Sequence, residues 1–338
     1  MRATPQRWAR CSNQCCDDVE AYDEREYKDH RGFFAMTFFS LISALLVERW
    51  RPGRDRNRII LLFLSYADSL ERYFNTGIRR HGIAAWVAAV IPVLIISGWI
   101  YYLLYSLNPL LAWAGNVIVL YLIMGFRQFS YSLTEVGEAL KNGDLFLARD
   151  LLSELHGVEA GDLSSQEVAR TAIEMGLIYS HRYVFGIIIC FAILPGPLGA
   201  ILYRVAELLS ERWGGRKDAF GDFAVKAFEI IDWLPARLTA MSFAVAGNFE
   251  DAIYCWRVQA ASWVDSNQGI ILASGAGALG VCLGDPMHAA GGKHYRPELG
   301  VGEEADVDFL QSTIGLAWRT LVLWLMLLLL LEIASWAG

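Results

Sequence analysis

Three groups of polar residues sit inside or beside apolar stretches, and each carries side chains able to do chemistry. Glu174 precedes Ser180-His181-Arg182, Tyr203-Arg204 closes an apolar run, and Asp232-Trp233-Leu234-Pro235-Ala236-Arg237 interrupts another. An unpaired polar group is costly in a low-dielectric setting, so such residues are paired, face water or bind something. Arg204 and Arg237 are permanently charged, planar donors that match phosphate and carboxylate, which gives these groups an anion-binding reading. The alternative is interfacial anchoring, with Arg and Trp facing lipid head groups and Glu174 a helix-surface charge. His181 divides in the same way, between a neutral interfacial imidazole and a proton relay.

Other candidates lead less far. Asp285-Pro286, with Asp306 and Asp308 in an acidic, Gly-rich stretch, offers oxygens to Mg²⁺, but a hard cation needs several that converge, and a solvated loop explains the same residues. Cys11, Cys15 and Cys16 cluster in a polar leader with no paired Cys or His downstream to complete a zinc set. Cys190, Cys255 and Cys282 lie in or beside apolar runs, so no disulfide framework is expected. A P-loop, a His-Glu-x-x-His pair, a nucleophile elbow and a dinucleotide Gly-rich turn after a strand are all missing from the sequence. Motif spacing by itself therefore names no reaction.

The elements that must hold these residues are membrane helices. The 338 residues are 55% hydrophobic and 19% charged, with a mean hydropathy of +0.33, whereas soluble domains carry about 25% charge. Net charge is −7 with Lys and Arg spread singly, so no nucleic-acid partner is expected. Residues 32–47, 83–105, 107–126 and 183–203 are uncharged, and 320–338 carries only Glu332. Crossing about 30 Å of hydrocarbon takes roughly 20 helical residues. The expected fold is thus an all-α, polytopic integral membrane protein with about five transmembrane helices. Residues 238–249 and 269–284 are apolar but short, and read as re-entrant or packed segments; the small residues of 273–280 permit close backbone contact.

Ser106-Leu107-Asn108-Pro109 makes a tight hairpin between the second and third spans. Pro195-Gly196-Pro197 must break or kink the fourth. Residues 1–35 are polar and read as a disordered extension, with the membrane domain at 36–338 and a cytoplasmic helical layer at about 127–182. In that layer Phe129, Leu133, Val136 and Leu140 recur at helical spacing, Asn142-Gly143-Asp144 breaks and recaps, and Leu145, Ala148, Leu152 and Leu155 continue. Ser164-Ser165-Gln166-Glu167 is a capping box for a helix that runs on into the fourth span; no strand is expected here.

The order of motifs adds a resemblance. Ala44-Leu-Leu-Val-Glu48, Lys141-Asn-Gly-Asp-Leu145 with Ala148-Arg149, Val168-Ala-Arg-Thr-Ala-Ile-Glu174, Gly196-Pro-Leu-Gly-Ala-Ile-Leu-Tyr-Arg204 and Ile231-Asp-Trp-Leu-Pro-Ala-Arg-Leu-Thr239 are followed by Asn267-Gln-Gly269 and Gly277-Ala-Leu-Gly-Val-Cys-Leu-Gly-Asp-Pro286. In this order the chain resembles the CobD/CbiB family of cobalamin-biosynthesis membrane proteins and its relative AmpE. The resemblance implies an inner-membrane adenosylcobinamide-phosphate synthase, a C–N ligase joining an aminopropanol (phosphate) arm to adenosylcobyric acid with ATP and Mg²⁺. It implies Glu174, Glu229 and Asp285 as catalytic, metal-holding acids, and Tyr203, Arg204, Arg237 and Asn267 as substrate-binding residues, the two arginines taking phosphates or corrin propionates. A corrinoid substrate and membrane lipid are the implied partners.

The chain also departs from the pattern. The family's Glu-Asn-Thr-x-Asp-Gly motif reads Ile178-Tyr-Ser-His-Arg-Tyr183, its Asn-Thr-Leu-Asp-Ser reads Glu207-Leu-Leu-Ser-Glu211, its double Asp is Phe228-Glu229, and an expected Glu is Leu272. Because carboxylates hold Mg²⁺ and nucleotide phosphates, these departures argue against full synthase activity. His156-Gly-Val-Glu-Ala-Gly161, Arg182, Asp232-Trp233 and Met36-Thr-Phe-Phe39 look AmpE-like, and that branch implies the alternative: a membrane signalling protein of β-lactamase induction and cell-wall stress, without catalysis.

Eight arginines (49, 51, 54, 56, 58, 72, 79 and 80) lie between the first two spans and Arg127 follows the third, so these loops are expected inside the cell. Cysteines introduced at Arg56 and Asn142 should stay unlabelled by an impermeant reagent added to intact cells. Labelling at either position overturns this orientation.

Overall fold

The computed structural model describes residues 36–48, 50, 56–75, 77, 79–156, 161–215, 218–284 and 297–337. The 1–35 extension with its three cysteines, and Asp285, lie outside the described residues. In lipid every backbone N–H and C=O must be satisfied internally, and the chain answers with helices nearly throughout. It is an all-α membrane protein. Helix α3 (Arg79–Leu107), the continuous rod Ser165–Ile193 and α13 (Val307–Ala337) contain stretches long and apolar enough to cross a bilayer, and α1 (Met36–Glu48) and α4 (Pro109–Ile123) are shorter apolar helices. Helix α2 (Arg56–Phe74) packs beside α3. At the α3–α4 hairpin Asn108 accepts a bond from the Leu110 N–H and Pro109 starts the helix, where its missing donor costs nothing.

The fourth apolar run is placed differently from expectation. It is not one kinked span but two halves of different helices. The rod consists of α7 (Ser165–Ser180), a π-helical turn (His181–Phe185) and α8 (Gly186–Ile193); after Pro195-Gly196-Pro197 the chain reverses into α9 (Leu198–Gly214). Two prolines without donors end α8, and Gly196 at φ +62° makes a turn that a side chain would strain. The returning helix touches α8 at Gly199, where a Cβ would lie 1.9 Å from the Cys190 carbonyl oxygen. At the other end of the rod, Ser164 and Glu167 form the capping box read from the sequence.

Helices α5 (Phe126–Lys141), α6 (Leu145–His156) and α7 pack as one layer, burying Phe129, Leu133, Val136, Ala148 and Leu152 as their spacing requires. Asp144 accepts from the Leu147 N–H and so restarts the chain after Gly143, whose φ is +76°.

Helix α10 (Gly221–Ala246) packs on α9, and α11 (Phe249–Gln259) and α12 (Ser266–Leu279) follow. Residues 238–246 are the second half of α10 rather than a separate segment. Helix α12 is a packed segment almost wholly inside, and small residues make that possible: a Cβ on Gly277 would approach the Asp251 carbonyl oxygen to 2.5 Å. Beyond it lies a departure from the all-helical expectation, a two-residue parallel pair in which β1 (Val281–Cys282) aligns with β2 (Glu303–Glu304). Gly280 at φ +69° ends α12 and lets the chain double back into this pairing.

If the α8–α9 contact closes the hairpin, Gly199→Ala should destabilise the protein by about 3 kcal/mol or prevent its folding, because the added atom meets backbone. Gly315→Ala, in α13 with open space at its Cβ position, should be neutral or slightly stabilising. Thermal unfolding in detergent distinguishes the two, and equal shifts would remove the contact from the account.

Candidate active site

Helix α10 carries two polar rows, and the sequence motif Asp232–Arg237 contributes to both. Glu229, Trp233 and Arg237 are four residues apart and line an open cavity, whereas Phe228, Asp232 and Thr239 turn inward.

On the inner side the Asp232 carboxylate joins three elements. His181 Nε2 lies 2.8 Å from Asp232 Oδ1 and its Nδ1 3.0 Å from Thr239 Oγ1; the Tyr203 hydroxyl donates to the same Asp232 oxygen at 2.8 Å. All four side chains are buried. The imidazole thus meets the Asp232 carboxylate on one ring nitrogen and the Thr239 hydroxyl on the other. The π-helical turn begins at His181; such turns insert one residue into a helix and recur at functional sites. Gly186 makes the space for Tyr203: a Cβ there would lie 2.3 Å from its ring.

Next to this cluster lie two ion pairs. Arg182 Nη1 donates to Glu211 Oε1 at 2.9 Å with its guanidinium over the Phe228 ring, and Arg204 Nη1 donates to the fully buried Glu207 at 2.5 Å with its guanidinium over Tyr183. Burial raises the Glu207 carboxyl above its ordinary value, with Arg204 and Arg182 opposing the rise and Glu211 adding to it. Arg204, expected to hold a substrate anion, is thus neutralised inside the fold.

The outer side of α10 faces a cavity of about 640 Å³ lined by Glu229, Trp233, Arg237, Asp265 and Asn267, with Ile230, Val264 and Ser266 on its rim. The Arg237 guanidinium stacks on Trp233, 4.1 Å from the ring centroid, and donates to the Trp233 carbonyl at 2.8 Å and to Asn267 Oδ1 at 3.4 Å. Asn267 Nδ2 in turn donates to the Glu229 carbonyl at 2.9 Å. Asp265 caps α12, its Oδ1 accepting from the N–H groups of Asn267 and Gln268. Burial, then the nearby Asp265 charge, raises the Glu229 carboxyl above its ordinary value, and burial lowers Arg237.

Three of the residues singled out from sequence, Glu229, Arg237 and Asn267, therefore meet in one pocket. Tyr203 and Arg204 lie behind α10 and belong to the interior. Glu174 is elsewhere again: buried on α7, it accepts the Gly284 N–H at 2.8 Å and ties down the chain leaving β1. These groups do not share one cavity, because α10 itself stands between the two rows. Arg237 has no ion pair among the described residues; a carbonyl, an amide and an indole ring hold it. No group of three or more His, Cys, Asp or Glu is placed to hold a metal among the described residues. Asp308 is exposed and paired with Lys141 at 3.5 Å, in keeping with a solvated stretch. Asp265 and the His181–Asp232 link were not singled out by sequence reasoning, and Trp233 was read there only as an interfacial anchor or an AmpE-like feature. The 229, 233, 237 spacing and the Asp265-Ser266-Asn267 cap pattern were the available signals for Trp233 and Asp265.

The raised Glu229 carboxyl makes a testable sign. Between the ordinary glutamate value and the shifted one, the folded chain retains a proton that the unfolded chain has released, so stability should fall as pH rises through that window and recover on acidification. Glu229→Gln should flatten this slope in pH-dependent melts; an unchanged slope would assign it to another group.

A family model described as CobD/Cbib protein matches residues 41–317. The cobalamin biosynthesis protein CobD of Stutzerimonas stutzeri is 34% identical over 299 residues, 86% of this chain and 97% of that one. CobD of Chromobacterium violaceum is 34% identical over 293 residues, 84% and 91% of the two chains. The cobalamin biosynthesis protein CbiB of Salmonella typhimurium is 26% identical over 267 residues, 75% and 82% of the two chains. No solved structure matches.

Proposed function

Because the chain belongs to the CobD/CbiB family of cobalamin-biosynthesis proteins, we propose that it is an inner-membrane C–N ligase that attaches an aminopropanol (phosphate) arm to adenosylcobyric acid. The observation that carries this reading to a place in the molecule is the Arg237 pocket, whose lining combines one guanidinium with two carboxylate residues, Glu229 and Asp265, beside the N-terminus of α12.

ATP and Mg²⁺ belong to the proposal, and the residues present fit them in part. Mg²⁺ typically takes one or two protein carboxylates and fills its remaining positions with water and phosphate oxygens. Glu229 and Asp265 are two such carboxylates, although Asp265 already serves as a helix cap. Bound nucleotide would supply the activation that a carboxylate needs before an amine displaces a leaving group. The chain's own contributions are positional. Arg237, its plane set by Trp233 and Asn267, binds a phosphate; Asn267 fixes the guanidinium to the Glu229 backbone; and Glu229, ionised above its raised value, carries the charge that a cation answers. The substituted acids of the family pattern do not enter this pocket, since Glu207 and Glu211 act as counter-ions to arginines. The regulatory alternative draws on no observation of the site.

Expression in a corrinoid-pathway deletion lacking the synthase tests the proposal. The chain should restore growth on cobyric acid plus aminopropanol, and Arg237→Ala, losing a charged hydrogen-bonding contact of about 3 kcal/mol, should reduce the rate by about a hundredfold. Failure of the unaltered chain to rescue rejects the ligase reading; full rescue by Arg237→Ala removes the pocket from it.

A further inference from the structure

Helix α10 carries Pro235 in its interior, with residues of the Arg237 pocket on both sides of it. A proline there supplies no N–H to the Ile231 carbonyl and crowds it with its ring, so the helix is weakest at that turn. The half before it packs on α9, where the Phe228 ring meets Tyr203 at 5.5 Å. The half after it is held by other elements: Ser274 of α12 donates to the Ala240 carbonyl at 2.7 Å, and Phe243 meets Phe185 of the rod at 5.9 Å. Glu229 and Trp233 therefore belong to one half and Arg237 to the other. Side chains from neighbouring elements reach across the joint. From inside, His181 lies 2.8 Å from Asp232 Oδ1 and 3.0 Å from Thr239 Oγ1, two groups seven residues apart and so on one face, about 10 Å from each other along the axis. From the pocket, Asn267 accepts from Arg237 and donates to the Glu229 carbonyl. His181 is buried and begins the π-helical turn, so its own placement is set by the rod rather than by α10.

We propose that His181 is a positioning residue: by holding Asp232 and Thr239 together it fixes the bend of α10 at Pro235, and so the separation of Glu229 and Trp233 from Arg237 across the pocket. A residue that only packs needs volume alone. This ring instead sets each of its nitrogens on a polar atom from a different side of the proline. Loss of the Thr239 contact leaves Asp232 with His181 and Tyr203 but frees the second half to swing. The effect on turnover rests on the ligase reading; the hold across the joint does not.

Spin labels at Lys226, in the first half of α10, and at Val258 of α11, which packs on the second half, read the joint directly, since both positions are exposed. With Cys11, Cys15, Cys16 and Cys282 replaced by Ser, the full chain in lipid vesicles should give one narrow distance distribution. Thr239→Val should broaden it about twofold, as a freed hinge does, and His181→Phe at least as much. Adding Pro235→Ala, which restores the missing helical bond, should return the narrow distribution in both. Should His181→Phe fail to fold, Thr239→Val with and without Pro235→Ala decides. An unchanged width in Thr239→Val, or a broadening that Pro235→Ala leaves in place, overturns the proposal and makes His181 a packing residue. In ligation assays Thr239→Val should raise KM for the phosphate-bearing substrate about tenfold and keep kcat within about twofold. An unchanged KM, or an equal loss in both constants, overturns the positioning role. If the unaltered chain does not ligate, the ligase reading fails by itself and the distance distributions still judge the hold across Pro235.

Discussion

The carboxylate of Asp232 is the constraint on which the polar interior depends. One buried oxygen takes hydrogen bonds from His181 on the π-helical turn and Tyr203 on α9, so three helical elements are registered against one another at a single atom. Hydrogen bonds to a charged acceptor contribute about 1.5–3 kcal/mol each, and a buried carboxylate left without them would cost more than it returns. The consequences extend outward. With Asp232 held inward, the helical period turns Glu229, Trp233 and Arg237 to the other side of α10, where they form the pocket wall.

The other buried charges follow a related rule. Arg182 and Arg204 sit among tyrosines and apolar side chains, and each is matched by a glutamate of α9 within hydrogen-bonding distance. Taking one such partner away would strand a charge in a low-dielectric interior, which is why these positions are coupled rather than independent. Glu207 and Glu211 thus have a structural role here. They balance Arg204 and Arg182. The π-helical turn and α9 share both this ion-pair system and the His181–Tyr203 contact.

Glycine sets how closely the helices approach. Gly186 admits the Tyr203 ring, Gly199 admits the Cys190 carbonyl and Gly277 admits the Asp251 carbonyl. Lipid offers no hydrophobic gain for helix association, so contact at backbone range, where dispersion and weak polar contacts accumulate, replaces it. The interior helix α12 illustrates the result: it has the apolar composition of a membrane segment and the burial of a core element.

The sequence by itself determined what depends on local chain chemistry. Long uncharged runs have no other solution in lipid than helices; Asn108-Pro109 and Ser164–Glu167 carry their caps within a few residues; and Pro195-Gly196-Pro197 must interrupt a helix wherever it stands. Arg237 was legible as a candidate because a polar residue in apolar surroundings is conspicuous, whereas Glu229 and Asn267 were candidates only through the family resemblance. The tertiary structure decided what depends on which surfaces meet. A broken helix is compatible with a kink or a reversal, and Gly199 against Cys190 selects the reversal. Arg204 and Arg237 look alike in sequence, yet Glu207 neutralises one while the other faces an open pocket with Asn267. His181 and Asp232 lie 51 residues apart, and no local rule joins them. Their pairing exists because burying either side chain alone is unfavourable, and only the packing of α10 against the π-helical turn brings the two together.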